Sequence, residues 1–309
     1  MPRRSIIALA AAGALASTGT AYIGARNLLV GQATRARSVI PKAWDIPPRA
    51  DGVYTRGDGP VQRWQRGMSV DVHLMIFGDS TATGYGCRTA DEVPGVLIAC
   101  GLAEQTSKRI RLSTKAIVGA TSKGLSGQVD AMFVAGPPPD AAVIMIGAND
   151  ITALNGVGPS AHRLGAAVRR LRASGAVVVV GTCPDFGVIT AIPQPLRWLA
   201  RARGLRLSRA QAVAVKAAGG VPVPLADLLT PHFRQAPELL FSDDRYHPSA
   251  AGYALAADQL LPALCNALGE STGGLVAELP GRQRLGIMSR LWRRPTTGVP
   301  APIVVPTGG

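Results

Sequence analysis

The sequence predicts an α/β protein: a three-layer α/β/α sandwich in which helices cover both faces of a five-stranded parallel sheet. The first observation is that short apolar segments alternate with longer helical segments from about residue 70 onward. The second is that the segment at residues 141–146 is apolar throughout, as in strands buried on both faces. The third is an abundance of Ala, Gly and Val with only 5% aromatic residues, which suits close packing of helices on a sheet.

Strand and helix segments follow one another regularly along the chain. The predicted strands are residues 70–77, 109–118, 141–146, 176–180 and 221–225. The predicted helices are residues 92–105, 123–133, 160–174, 195–218 and 249–268. Because a helix joins each strand to the next, the crossovers are right-handed and the strands run parallel.

Three of the predicted helices carry residues that refine the prediction. The helix at residues 160–174 places Leu164, Val168 and Leu171 on one apolar stripe, as expected of a helix that packs on a sheet. Gly204 is expected to break the long basic helix, and Pro262 is expected to kink the last one.

The two ends of the chain differ in composition from the α/β domain, which is predicted at residues 67–268. Residues 1–25 place Arg3 and Arg4 before an uncharged stretch, the pattern of an export signal or a membrane anchor, and both interpretations stay open. This pattern predicts an exported protein, either secreted or associated with the cell envelope or membrane. Residues 26–66 lack periodicity and predict a linker or a wrapping arm.

The C-terminal tail, residues 269–309, is basic, rich in Pro and Gly, and predicted to be disordered. Within it, residues 285–294 have the pattern of a short basic amphipathic helix that touches a membrane surface. A solvated tail without such a helix is the alternative interpretation.

The charge and the cysteine positions indicate which partners and sites to expect. The formal net charge of +14 favours anionic surfaces, but the Arg residues are spread along the chain and no nucleic-acid-binding signature is present, so no nucleic-acid partner is expected. The four cysteines, which are Cys87, Cys100, Cys183 and Cys265, are widely spaced without a CxxC pair. A metal cluster is therefore not expected, and in an exported chain one or two disulfides of unassigned pairing are compatible with these positions.

Polar and glycine residues follow the first three predicted strands directly. Ser80, Gly119 and Asn149 come after strands one, two and three. In open parallel sheets the ligand site lies at the carboxyl ends of the strands. These three residues are therefore expected to meet at one edge of the sheet.

A serine nucleophile requires a base, and the search for that base is short. The chain has four histidines, which are His73, His162, His232 and His247. His73 lies inside the first strand, where a packed or hydrogen-bonded role is expected. His162 is expected at the surface of a helix, and His232, in a loop after strand five, is a weaker candidate for the base.

His247 is the main candidate for the base. It lies in the segment Asp244-Arg245-Tyr246-His247, and Pro248 is expected to open the last helix and so fix the turn. Asp244 precedes the histidine by three residues and can accept a hydrogen bond from its Nδ1–H. Asp243 competes for this role, and the DxxH spacing favours Asp244.

Four segments together resemble a known family. They are Gly78-Asp79-Ser80, Gly119, Gly147-Ala148-Asn149-Asp150 and Asp244-Arg245-Tyr246-His247. In order and spacing they are similar to blocks I, II, III and V of the SGNH (GDSL-like) hydrolase superfamily, and the chain looks like its exported actinobacterial type. The resemblance covers about residues 70–268 and implies the flavodoxin-like SGNH fold. The first block reads Gly-Asp-Ser-Thr where the namesake motif has Gly-Asp-Ser-Leu.

The resemblance implies a role for each residue. Ser80 would be the nucleophile, His247 the base and Asp244 its orienting partner. The backbone N–H groups of Ser80 and Gly119 and the side-chain amide of Asn149 would form the oxyanion hole. The neighbouring acidic residues of the first and third blocks, Asp79 and Asp150, are expected to form turns and helix caps rather than to act in catalysis.

These roles predict a monomeric serine esterase that forms an acyl-enzyme and needs no cofactor or metal. Its expected substrates are short- to medium-chain acyl esters of a lipid, a glycan or a small molecule. Acyltransferase, thioesterase or lysophospholipase activity on the same triad is an alternative, and a non-catalytic envelope-binding protein is another. The chain lacks the GxSxG elbow of lipase-type α/β-hydrolases and the GxxxxGK[ST], GxGxxG and HExxH motifs.

Overall fold

The structure, a computed structural model, describes residues 22–36, 38, 46–57 and 61–270. The start of the predicted export segment, up to residue 21, lies outside the described residues. So do the predicted disordered tail from residue 271 onward and the amphipathic helix within it. No helix in the described ranges is both long and apolar enough to cross a membrane.

A six-stranded sheet forms the centre of the fold. Its strands are β1 (Gly52–Tyr54), β2 (Val72–Gly78), β3 (Ile110–Thr114), β4 (Ala141–Met145), β5 (Val177–Gly181) and β6 (Val221–Val223). They lie in the order β1-β3-β2-β4-β5-β6. Strands β2 to β6 are parallel, which confirms the predicted sheet, and β1 pairs antiparallel with β3.

The predicted count of five strands was therefore one too low. The additional strand, β1, comes from the segment that was predicted to be a linker or wrapping arm, and Val53 pairs there with Arg111. It covers the edge of β3, which would otherwise expose unpaired backbone groups. A strand of three residues is too short to produce a recognisable alternation of apolar and polar residues.

Helices flank the sheet. They are α1 (residues 22–36), α2 (Ser80–Thr83), α3 (Pro94–Thr106), α4 (Leu125–Ala135), α5 (Ala148–Thr152), α6 (Val157–Ala173), α7 (Leu196–Ala217), α8 (Leu225–Gln235), α9 (Pro237–Leu240) and α10 (Ala250–Ala267). Helices α3 and α10 pack on one face of the sheet and α4 and α6 on the other, while α7 packs along α6. This arrangement confirms the predicted three layers.

The alternation of side chains along β2 divides the core into two clusters. Leu74 and Ile76 belong to the cluster beneath α3 and α10. Met75 and Phe77 belong to the cluster beneath α4 and α6. The predicted stripe of α6 joins this second cluster, with Leu164, Val168 and Leu171 fully buried. Successive residues of a strand point to opposite faces, so one strand supplies both halves of the core.

Two predictions about helices were wrong. Helix α7 runs without a break through Gly204, which is buried against Phe186; a Cβ at this glycine would lie 3.1 Å from the Phe186 ring. The glycine therefore permits close packing and does not end the helix. His232, predicted in a loop, lies in α8, a helix that contains Pro231.

Candidate active site

The first element of the site is the turn that follows β2. Gly78 has a φ of 136°, and a Cβ there would lie 1.9 Å from the carbonyl oxygen of Met145, so only glycine fits. Asp79 caps α2, and its carboxylate accepts the backbone N–H of Thr81, as expected of a cap former. Ser80 is the first residue of α2, at the carboxyl end of β2.

The predicted serine and aspartate both contact the predicted histidine. Nε2 of His247 lies 3.1 Å from Oγ of Ser80, and Nδ1 of the same ring lies 2.6 Å from Oδ2 of Asp244. Ser80 and His247 are 167 positions apart in the sequence, so the sheet and α10 bring them together. Asp243, the competing carboxylate, is exposed.

The second oxygen of Asp244 fixes the turn that carries the histidine. Its Oδ1 accepts the backbone N–H groups of Tyr246 and His247, both at 2.8 Å, and the hydroxyl of Ser242 at 2.7 Å. Burial acts to raise the pKa of Asp244, but the hydrogen bonds from His247 and Tyr246 outweigh it and lower the pKa to about 2. An ionised Asp244 accepts a hydrogen bond from Nδ1–H, which leaves the lone pair of Nε2 facing the serine.

Donors for a developing negative charge lie at the same edge. Within the described part of the chain, the backbone N–H groups of Ser80 and Gly119 have no hydrogen-bond acceptor. Gly119 is exposed and has a φ of 80°. One N–H of the Asn149 amide donates to the carbonyl of Ala120 at 3.0 Å, which orients the side chain. The second hydrogen of this amide is available to a ligand.

Asp150 joins the loops that carry Gly119 and Asn149. Its side chain is fully buried and accepts the backbone N–H and hydroxyl of Ser122, both at 2.8 Å, the amide of Asn155 and the hydroxyl of Ser160. The sequence predicted that Asp150 forms a cap or a turn. In the structure its carboxylate accepts four hydrogen bonds, and we refer to this carboxylate and its partners as the Asp150 hub. Nothing in the sequence indicated that one carboxylate would form hydrogen bonds with three separate segments, at Ser122, Asn155 and Ser160.

Two buried glutamines, which the sequence analysis missed, hold strand ends in place. The Gln128 amide accepts from the N–H of Gly78 and donates to its carbonyl, both at 2.8 Å. The Gln211 amide accepts from the N–H of Cys183 at 2.7 Å and donates to the carbonyl of Ile146 at 2.9 Å. For Gln128 the available signal was an amide within a helix whose other buried residues are apolar.

Two aromatic rings contact the imidazole of His247. The ring of Tyr85 is 4.6 Å from it, centroid to centroid, and the ring of Tyr246 is 5.0 Å away in an edge-on arrangement. Burial raises the pKa of the Tyr246 hydroxyl. The two rings restrict rotation of the imidazole and shield it from solvent.

The other three histidines do not contact Ser80. His73 is buried, with Nε2 3.0 Å from the hydroxyl of Ser113, which agrees with the predicted hydrogen-bonded core role. Burial and the charge of Arg111 lower the pKa of His73 to about 4. His162 is exposed as predicted, and His232 is exposed on α8. The four cysteines are free thiols, so the structure contains none of the disulfides left open above.

An apolar cavity of about 90 Å³ lies beside the site. Asp79 and Tyr246, the neighbours of Ser80 and His247 in the sequence, line it together with Leu225, Phe233 and Tyr253. The cavity thus lies between the ends of β4 and β5 and the helices α8 and α10, where it can take a small apolar group.

Comparisons with known proteins identify the family of this chain. Residues 76–255 match the model of the GDSL-like Lipase/Acylhydrolase family. The chain is 74% identical over 319 residues to the GDSL-like esterase Rv1075c of Mycobacterium tuberculosis (strain ATCC 25618 / H37Rv), with 100% of both chains covered.

Solved structures share the fold. A lipase/acylhydrolase from Enterococcus faecalis has a TM-score of 0.52 at 20% identity, over 64% of this chain and 96% of that one. The psychrotrophic esterase EstA from Pseudoalteromonas sp. has a TM-score of 0.51 at 20% identity, over 64% of this chain and 100% of that one. At this level of identity the likeness concerns the fold alone.

Proposed function

This chain belongs to the GDSL-like lipase/acylhydrolase family and is an esterase, and we propose that it cleaves carboxylic esters through an acyl-enzyme formed on Ser80. The observation that carries the proposal is the continuous chain of contacts from Ser80 through His247 to Asp244. A hydroxyl, an imidazole and a carboxylate in this order are the parts that a serine nucleophile needs.

In the first half of the reaction, Oγ of Ser80 attacks the acyl carbon of the ester while Nε2 of His247 takes the serine proton. Asp244 keeps the proton on Nδ1 and stabilises the imidazolium. The same imidazolium then donates its Nε2 proton to the leaving alcohol, and the acyl group stays on Ser80.

The negative charge of the tetrahedral intermediate needs donors that are already in position. The N–H groups of Ser80 and Gly119 and the second amide hydrogen of Asn149 supply them. Because the hub at Asp150 and the contact with Ala120 fix these groups before substrate binds, little reorganisation is required during the reaction.

In the second half, water takes the place of the alcohol. His247 removes a proton from the water as it attacks the acyl carbon, and the proton returns to Oγ of Ser80 when the acid leaves. The apolar cavity beside Ser80 and His247 is small, which favours substrates with short acyl chains over those with long ones.

Loss of the Ser80 hydroxyl tests the proposal. The full chain should hydrolyse para-nitrophenyl butyrate, and Ser80→Ala should reduce the rate to background. Ser113→Ala is a matched control, because it removes another buried hydroxyl that contacts a histidine, and it should keep wild-type activity. Wild-type activity in Ser80→Ala would refute the assignment.

The place of action is a separate part of the proposal. The basic and then apolar character of residues 1–25 supports export, with the enzyme acting outside the cytoplasm or at the membrane surface. Fractionation of cells that produce the full chain should find the esterase in the envelope or medium, and recovery in the cytosol alone would contradict this.

A further inference from the structure

A second, larger cleft lies beside β1 and β3, whereas the apolar cavity lies at the ends of β4 and β5. Its volume is about 820 Å³, which is in the range of sites that bind organic ligands. Three arginines line it: Arg49 and Arg63 from the N-terminal arm and Arg111 from β3. We refer to it as the arginine cleft.

Asp51 offsets part of the charge of Arg111 in the arginine cleft, which leaves the cleft with a net positive charge. None of its three guanidinium groups lies within 4.0 Å of a carboxylate in the described ranges. The carboxylate among its lining residues is Asp51, whose Oδ1 accepts the backbone N–H of Thr114 at 2.9 Å. Arg49 and Arg63 are exposed, so their charged ends are free to meet a ligand.

Arg111 is held in place by an aromatic ring. Its guanidinium lies 3.5 Å from the ring centroid of Trp64, and both residues line the cleft. A stacked guanidinium keeps its donors in a fixed plane, which suits recognition of a phosphate or carboxylate by paired hydrogen bonds. The arm that supplies Arg49, Arg63 and Trp64 lies outside residues 76–255, the part of the chain that matches the family model.

One end of the arginine cleft, at Thr83 and Thr114, lies near the turn that carries the nucleophile, while Arg111 lies farther along β3, paired with His73. Strand β3 is the neighbour of β2, and Thr114, the last residue of β3, lines the cleft. Neighbouring strands are about 4.8 Å apart. Thr83, at the end of α2, also lines the cleft, and its hydroxyl donates to the carbonyl of Ser80 at 2.9 Å. Asp79 and Thr81, in the same turn, line the apolar cavity instead.

We propose that the arginine cleft binds a phosphate or carboxylate group on the alcohol portion of the ester, so that the enzyme prefers anionic esters. The proposal rests on the function proposed above and deepens it. A small acyl group occupies the apolar cavity, the scissile carbonyl lies at Ser80, and the acidic alcohol extends over the end of β3 towards Arg49, Arg63 and Arg111.

The test compares esters that share a scissile bond and differ in charge. Monobutyrylglycerol is the neutral ester, monobutyrylglycerol phosphate carries a phosphate, and butyryl glycerate carries a carboxylate. In the wild-type chain KM should be lower for the two charged esters than for the neutral one, with similar kcat. The difference between the two charged esters shows which anion the cleft prefers. Added salt should reduce the advantage of both.

The double variant Arg49→Gln/Arg63→Gln should raise KM for the preferred charged ester by about ten-fold, since a hydrogen bond to a charged group is worth one to two factors of ten. It should leave kcat/KM for monobutyrylglycerol unchanged. Arg206→Gln/Arg209→Gln is the matched control, because it removes the same charge from two exposed arginines of α7, and it should leave KM for every ester unchanged.

Equal KM for charged and neutral esters in the wild type would overturn the proposal. So would an equal rise in KM in the two double variants, because net charge alone would then explain the preference. Both results leave the esterase assignment intact, since they presuppose hydrolysis of monobutyrylglycerol. Hydrolysis of this neutral ester by Ser80→Ala would instead refute the proposed function.

Discussion

Asp244 holds both the side chain and the backbone of His247. Its Oδ2 lies 2.6 Å from Nδ1 of the imidazole, and its Oδ1 accepts the backbone N–H of the same histidine at 2.8 Å. One carboxylate therefore fixes the position of the turn, the direction of the ring and the location of the ring proton. The lone pair of Nε2 then faces the hydroxyl of Ser80.

Asp244→Asn should lower kcat by about 10³–10⁴-fold, because an amide no longer holds the proton on Nδ1 or stabilises the imidazolium. KM should change little. The matched control is Asp243→Asn, which alters the exposed neighbouring carboxylate and should keep wild-type kinetics. Steady-state kinetics on para-nitrophenyl butyrate measure both variants, and a comparable loss in the two would contradict the assignment of Asp244.

The free energy of unfolding should depend on pH through Asp244. Its pKa is lowered from 3.8 to about 2 by folding, so the folded state favours the ionised form. The resulting stabilisation is fully present above the unfolded value and is lost as pH falls from about 4 towards 2. Urea unfolding of wild type and Asp244→Asn at a series of pH values should give curves that converge on acidification. A constant difference down to pH 3 would contradict this.

Asn149→Ala should lower kcat by about 10²–10³-fold, the usual cost of losing one donor to the oxyanion. KM should change little, because the amide interacts most strongly with the charge that develops during the reaction. An unchanged urea midpoint would show that the fold is intact. An unchanged kcat in the folded variant would remove Asn149 from the oxyanion hole.

Asp150→Ala should reduce the free energy of unfolding by about 3 kcal/mol, because it leaves several buried donors without an acceptor. It should also lower kcat, since the loops that carry Gly119 and Asn149 lose their common anchor. Asp130→Ala is the control: this exposed carboxylate pairs with Arg170 at 2.6 Å and should cost less than about 1 kcal/mol. Urea unfolding measures both variants, and an equal loss of unfolding free energy in the two would contradict the stabilising role of the Asp150 hub.

The residues that we propose for the chemistry could be predicted, because few residue types can perform it. A serine after an apolar strand, a histidine on a proline-bounded turn and an acid three residues before it are recognisable without coordinates. Ser80, His247 and Asp244 meet as the sequence predicts. The parallel sheet was equally accessible, because its buried strands are short apolar runs between helical segments.

The supporting contacts could not be predicted, because they depend on partners that are distant in the sequence. Glycine often ends a helix, yet Gly204 lies within α7, because the ring of Phe186 occupies the space that a side chain at this position would need. Aspartate is a common helix cap, and only the fold shows how many hydrogen-bond donors reach Asp150. Strand β1 is too short to carry a pattern, and its pairing with β3 is a tertiary contact.

The most direct measurement of the central claim is covalent labelling of the full chain with a fluorophosphonate, followed by mass mapping of the modified peptide. Phosphonylation on the peptide that contains Ser80, lost in Ser80→Ala and retained in Ser113→Ala, is the predicted result. Absence of labelling in active wild-type enzyme, or a label that remains after Ser80 is replaced, would contradict a nucleophile at this position.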